Sequence, residues 1–159
     1  MCKQKQYLRN SVKAIIINDG KLLFTKWRQP QTGDVFYILP GGGQEPGETF
    51  HETLRRECME ELGAEVDIGE IALVREYIGK NHEFADRDSH IHQIEYMFLC
   101  RLATPVNMDK ATGTDEREIG CAWIALDDFK NHRIYPRSLL KSIDSEGRIR
   151  PPIYIGDTN

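Results

Sequence analysis

The sequence predicts an α+β protein in which a mixed β-sheet is flanked by helices. Three observations lead there. Strand-like apolar stretches run consecutively rather than alternating strictly with helices. One segment, Thr49 to Leu62, carries the four-residue apolar recurrence of an amphipathic helix. The 159 residues, 40% hydrophobic and 29% charged, suffice for a single domain over 1–159 with its own core.

The elements follow in order. Met1 to Gln6 is polar and leads into no signal-peptide-like apolar stretch, so a cytoplasmic location is expected. Val12–Ile17 is an apolar, β-branched run. Asn18-Asp19-Gly20-Lys21 then supplies an Asp-Gly turn before Leu22-Leu23-Phe24, which together predict a hairpin. Val35–Leu39 reads as a strand, ended by Pro40 and three glycines. Thr49 with Glu52 matches a capping box for the helix, and Gly63 suits its left-handed end. Phe50, Leu54, Cys58 and Leu62 form one apolar stripe on it. Strands are expected at Ile71–Ile78, Ile91–Leu102 and Ile119–Ala125, with loops at Gly79–His90 and Ala103–Glu118. Leu126–Lys130 and Pro136–Ile143 read as short helices. There is no linker, repeat or low-complexity tract.

Composition excludes several functions. No apolar run approaches the ~18–20 residues that cross a bilayer, so no membrane partner is expected. The formal net charge of −4 argues against broad nucleic-acid binding. An acidic protein that handles phosphates needs cations, and bound divalent metals supply them. Cys2, Cys58, Cys100 and Cys121 are far apart, with no Cys-x-x-Cys pair. Cys58, Cys100 and Cys121 sit among apolar residues and read as core side chains, not as a disulfide framework.

The chemistry concentrates between Gly42 and Ala64. A glycine-rich loop leads into the predicted helix, but it lacks the Gly-Lys-Ser/Thr end of a P-loop. Glu57, Glu60 and Glu61 stand at i, i+3 and i+4, so they share one ~100° sector of the helix surface. Such a face taken alone is usually just solvated. Placed at a cleft, its mutual repulsion is relieved by hard divalent cations that prefer carboxylate oxygens. Arg56 is placed to orient a neighbouring carboxylate.

The whole spacing is more specific. Gly42, Glu48, Arg56-Glu57, Glu60-Glu61 and Gly63 are seven positions over 22 residues, and they resemble the box of the Nudix hydrolases. Leu39-Pro40-Gly41 resembles the family's lead-in, and Trp123-Ile124-Ala125-Leu126 the later part of its fold. Cys58 and Ala64 stand where the family usually has an aliphatic residue.

The resemblance implies a Nudix-like α/β/α sandwich and hydrolysis of a diphosphate linkage in a small nucleotide-like substrate. It implies Mg²⁺ or Mn²⁺ held by Glu57, Glu60, Glu61 and the carbonyl of Gly41, with Arg56 orienting a glutamate and Glu48 in a structural role. The general base is a box glutamate, Glu57 or Glu60, or an acidic residue of a later loop. Asp115, Glu116 and Glu118 are available there, and Glu116 is preferred. A non-catalytic nucleotide-sensing module is the alternative; the intact glutamates weigh against it. The resemblance is compatible with a homodimer.

The substrate is not singled out. The proline that many ADP-sugar hydrolases of the family carry shortly after the box is missing, since none occurs between Pro46 and Pro105. No coenzyme A signature precedes the box. ADP-ribose-like compounds, nucleoside triphosphates and dinucleoside polyphosphates stay open. Trp27, Arg28, Phe36 and Tyr37 could stack on a base, though aromatics near strands more often serve packing. His82, Glu83, Asp86, Asp88, His90 and His92, in and after the Gly79–His90 loop, fit no zinc pattern.

Overall fold

The computed structural model describes residues 8–113 and 115–159. Cys2 and the polar N-terminus lie outside them. Strands β1 (Leu8–Asn18) and β2 (Lys21–Arg28) form the expected hairpin. Asp19 and Gly20 take φ of 48° and 69° at its tip, the two positive values that a two-residue turn requires. β3 (Val35–Ile38) and the short β4 (Gly41–Gly43) follow, then helix α1 (Phe50–Leu62). β5 (Val66–Ile78), α2 (Ala85–Asp88), β6 (His92–Leu102), β7 (Glu118–Ala125), β8 (Ile134–Tyr135), α3 (Leu139–Ser142) and β9 (Tyr154–Asp157) complete the order.

The strands form one curled mixed sheet, ordered β8-β3-β2-β1-β6-β5-β9, with β4 paired to β1 and β7 to β2. β1 lies parallel to β6 from Leu8/His92 to Ile16/Cys100. It meets β2 only at Ile17 and Asn18, beside the turn. The sheet therefore splays into two wings from the hairpin.

Alternation along β1 divides the core. Val12, Ala14 and Ile16 face α1, where they meet Leu54, Cys58 and Leu62. Ile15 faces the opposite side, with Phe24, Leu73, Met97, Phe129 and Leu139. The helical layer there is slight: a 3-10 turn at Leu126–Asn131 and the four residues of α3. Cys58 and Ala64, the two departures from the family pattern, are fully buried, so small side chains satisfy the packing. Cys58, Cys100 and Cys121 are free thiols.

Several boundaries differ from expectation. β5 starts at Val66, five residues before the predicted Ile71; its polar first half is held by pairing with β6. The segment predicted as a loop, Gly79–His90, holds a 3-10 turn at Gly79–Asn81 and α2. The predicted helix Leu126–Lys130 is a 3-10 turn, and Pro136–Ile143 contains only α3. β9 was not expected; its apolar stretch Ile153-Tyr154-Ile155 is short, and it pairs parallel to β5. No helix among the described residues is long and apolar enough to cross a membrane.

Candidate active site

The helix that carries the glutamates begins as its sequence dictates. Thr49 caps it through the Glu52 N–H at 3.2 Å, and the Glu52 carboxylate accepts the Thr49 N–H at 2.7 Å. Gly63 ends it with φ 58°, and its N–H bonds the Met59 carbonyl.

Three glycines make up β4, and Gly42 among them faces the helix. β4 pairs with β1 in the register Ser11/Gly43, Val12/Gly42, Lys13/Gly41. Gly41 has φ 131°, and a Cβ there would strike the Val12 carbonyl. A Cβ on Gly42 would lie 2.5 Å from the Glu57 carboxyl carbon. The strand thus approaches the acidic face as closely as backbone can.

Arg56 organises this face. Its Nε donates to Glu48 Oε1 at 2.7 Å and its Nη2 to Glu48 Oε2 at 3.0 Å, a two-pronged pairing. Nη1 donates to Glu57 Oε1 at 2.7 Å and lies 3.6 Å from Glu60 Oε1. Nη2 also donates to the Gly43 carbonyl at 3.2 Å. Glu48 accepts from Thr53 Oγ1 as well, and with Arg56 foremost its carboxyl is held at about 2. The structural role that the resemblance implies for Glu48 is this brace.

Glu61 is buried and points at the loop. Its Oε2 accepts the Gly41 N–H at 2.7 Å, while Lys13 Nζ donates to the Gly41 carbonyl at 2.8 Å. Burial pushes the Glu61 carboxyl up to about 8, with the charges of Glu118 and Glu57 adding to the shift and Lys13 opposing it. Glu118 is likewise raised to about 7, by burial first, then by Asp115, with a smaller push from Glu57. Glu60 is the most open of the three, its side chain 41% accessible to solvent.

The loop after β6 is sewn to the end of α1. Asn107 N donates to the Leu62 carbonyl at 2.9 Å, and Gly113 N to the Glu60 carbonyl at 2.8 Å. This brings Glu118, at the start of β7, into the field of Glu57 and Glu61. Glu116 is exposed. Asp115 is paired with Arg117 at 2.6 Å. Of the loop acids, Glu118 is the one whose charge bears on Glu61, while the preferred Glu116 lies exposed.

One residue beside the site escaped the sequence, and another was not singled out. Lys13 was overlooked, although a lone charge inside the apolar run Val12–Ile17 marked it. Glu118 was named only as one of three acids, and spacing offered no way to rank them.

Beside Lys13 opens a cavity of about 220 Å³. Its lining includes Phe36, Tyr77, Phe84 and Tyr135, with Arg75, Gln93 and Glu95 at its polar side. Arg75 Nη2 donates to buried Glu95 at 2.8 Å, and Gln93 Nε2 donates to the same oxygen at 2.8 Å. Arg75 Nε is buried with no partner among the described residues. Of the aromatics before the box, Phe36 reaches the cavity. Trp27 stacks on Phe36 under Arg117, and Tyr37 packs on Phe24 and His132. The histidines near α2 are tied to single carboxylates: His82 to Asp157 at 2.6 Å, His92 to Glu76 at 2.9 Å.

A divalent ion suits the chemistry of the donors around Gly41, which are carboxylate and carbonyl oxygens. Burial and crowded negative charge hold Glu61 and Glu118 toward their protonated forms, the surplus that a cation relieves. The side chains are not yet converged. Glu57 is turned to Arg56 and Glu61 to the Gly41 N–H, and no three His, Cys, Asp or Glu among the described residues are already gathered for a metal.

The chain is similar to known proteins in sequence and in fold. The model of the NUDIX domain matches residues 7–143. The nucleoside triphosphatase NudI of Escherichia coli O1:K1 / APEC is 32% identical over 130 residues, covering 78% of this chain and 86% of that protein. A NUDIX hydrolase from Nitrosomonas europaea shares the fold, with TM-score 0.68, 18% identity and 85% of each chain covered. An ADP-ribose pyrophosphatase from Streptococcus suis 89-1591 shares it too, with TM-score 0.57, 18% identity, and 87% of this chain and 85% of that one covered. With a family match over most of its length and a relative 32% identical over 78% of it, the chain belongs to the Nudix family and is a pyrophosphohydrolase.

Proposed function

We propose that the enzyme hydrolyses a phosphoric anhydride bond of a nucleoside triphosphate, using Mg²⁺ or Mn²⁺ held by Glu57, Glu60, Glu61 and the Gly41 carbonyl. The observation that carries this reading is the Arg56 fork, which ties Glu48, Glu57 and the Gly43 carbonyl into one rigid corner beside Gly41. A bound divalent ion supplies charge neutralisation at the anhydride oxygens and acidifies a water. The chain's own residues do the rest. Arg56 fixes the rotamer of Glu57. Glu61 holds the Gly41 peptide so that its carbonyl sits above the acidic face. Glu118 receives the proton of the attacking water, since it is the loop carboxylate coupled to Glu57 and Glu61. Glu57 and Glu60 remain the box alternatives for that proton.

A nucleoside triphosphate is favoured among the open substrates by the relative of 32% identity, which is named a nucleoside triphosphatase. The aromatic cavity beside Lys13 has the lining of a site for the nucleoside part. A cytoplasmic setting goes with this reading, on the free thiols Cys58, Cys100 and Cys121.

A panel of nucleotides with Mg²⁺ or Mn²⁺, scored by product identity, tests the proposal. Release of a nucleoside monophosphate and inorganic pyrophosphate from a triphosphate is expected. Glu60→Gln should lower the rate by orders of magnitude with its melting temperature retained, because the Glu60 side chain is 41% accessible to solvent. Turnover of ADP-ribose alone would move the substrate assignment, and full activity of Glu60→Gln would remove Glu60 from the metal set.

A further inference from the structure

Lys13 is the only charged residue of the run Val12–Ile17, and β1 sets it between two sites. On one side its ammonium donates to the Gly41 carbonyl at 2.8 Å. On the other its side chain lines the cavity with Glu95 and Gln93. Its charge favours the ionised forms of Glu61 and Glu118 toward the helix and of Glu95 toward the cavity. The ammonium therefore stands at an oxygen assigned above to the divalent ion. A carbonyl has two lone pairs. Even so, an ammonium and a divalent ion on one oxygen would repel strongly in a site this enclosed.

We propose that Lys13 is a placeholder cation: it occupies the Gly41 carbonyl in the metal-free enzyme, yields that oxygen to the metal, and then turns to a phosphoryl oxygen of the substrate at the mouth of the cavity. This rests on the assignment of the Gly41 carbonyl as a metal ligand. Two consequences separate it from a structural lysine. Metal binding works against Lys13, so removing the charge tightens it. Substrate binding uses Lys13, so removing the charge weakens it.

The test is a titration of Mn²⁺ into EDTA-stripped protein, followed by the loss of the free-ion electron paramagnetic resonance signal. Wild type is compared with Lys13→Met, Lys13→Gln and the charge-retaining Lys13→Arg. Met and Gln variants should bind Mn²⁺ about tenfold more tightly, as expected for removing a unit charge a few ångströms away. Arg should bind it no more tightly than wild type. With a nucleoside triphosphate, Met and Gln should raise KM about tenfold with a smaller change in kcat. Two neutral replacements guard against one of them folding poorly. Wild-type uptake of Mn²⁺ without a gain in either neutral variant would overturn the Lys13 proposal alone. No uptake by the wild type would instead overturn the metal set on which it rests.

Discussion

Glu61, on the last turn of α1, accepts the backbone N–H of Gly41 at 2.7 Å, although 20 residues separate them. The bond joins the helix to the strand that supplies the site's only proposed backbone ligand. It also leaves a carboxyl buried among other acids, and that has a consequence for pH. The folded-state value of about 8 lies above the unfolded 4.5. A raised carboxyl contributes stability that is whole below about 4.5, falls as pH rises, and is gone above about 8. The slope is at most about 1.4 kcal/mol per pH unit. Glu118, raised to about 7, acts with the same sign but more weakly, being half in solvent. Metal-free enzyme should therefore melt at progressively lower temperature from pH 5 to 8, measured by scanning calorimetry in EDTA. Glu61→Gln should flatten that trend, and Mg²⁺ should restore stability to the wild type at pH 8. An equally steep decline in the Gln variant would disprove the attribution.

Arg56 makes four hydrogen bonds to three residues through a planar fork. A lysine keeps the charge but cannot reproduce that geometry. Arg56→Lys should lower kcat/KM about 10–100-fold, the usual cost of losing a residue that orients a metal ligand. Steady-state kinetics at saturating Mg²⁺ would check this. Activity close to wild type would show that charge alone suffices.

Glu118 and Glu116 are two residues apart and differ in surroundings, not in chemistry. Glu118→Gln should cut kcat by about 10²–10⁴, the range for a lost general base. Glu116→Gln, on an exposed side chain, should stay within about twofold. The reverse ranking would return the preference to Glu116.

Gly63 has φ 58°, and a Cβ there would drive into the Asn107 carbonyl, part of the loop that leads to Glu118. Gly63→Ala should destabilise the protein by more than about 1 kcal/mol, since left-handed alanine alone costs that much. It should also lower kcat by loosening the loop. Urea unfolding and single-turnover kinetics would measure the two effects. Lost stability with unchanged kcat would show that the loop docks independently of Gly63.

Much of this was readable beforehand because it is local. The Asp19-Gly20 turn, the Thr49/Glu52 box and the Gly63 cap each arise within four residues, where backbone sterics and one or two hydrogen bonds decide the outcome. The common face of Glu57, Glu60 and Glu61 follows from helical periodicity alone. β9 escaped because it is short, and its place is made by β5, about 80 residues earlier. The polar start of β5 escaped for a similar reason, since pairing with β6 overrides its weak pattern.

By itself, then, the sequence determined the glycine loop, the helix and the row of acids upon it, and so the class of chemistry. Only the tertiary structure decided which distant groups join them. The β1–β4 register brings Lys13 and Gly41 together, and the loop bonded to the Glu60 and Leu62 carbonyls leads to Glu118, whose charge bears on Glu61. The physical reason is range. Helical spacing and capping act between neighbours in the chain. The field and burial that distinguish one carboxylate from another depend on what the folded sheet sets beside it.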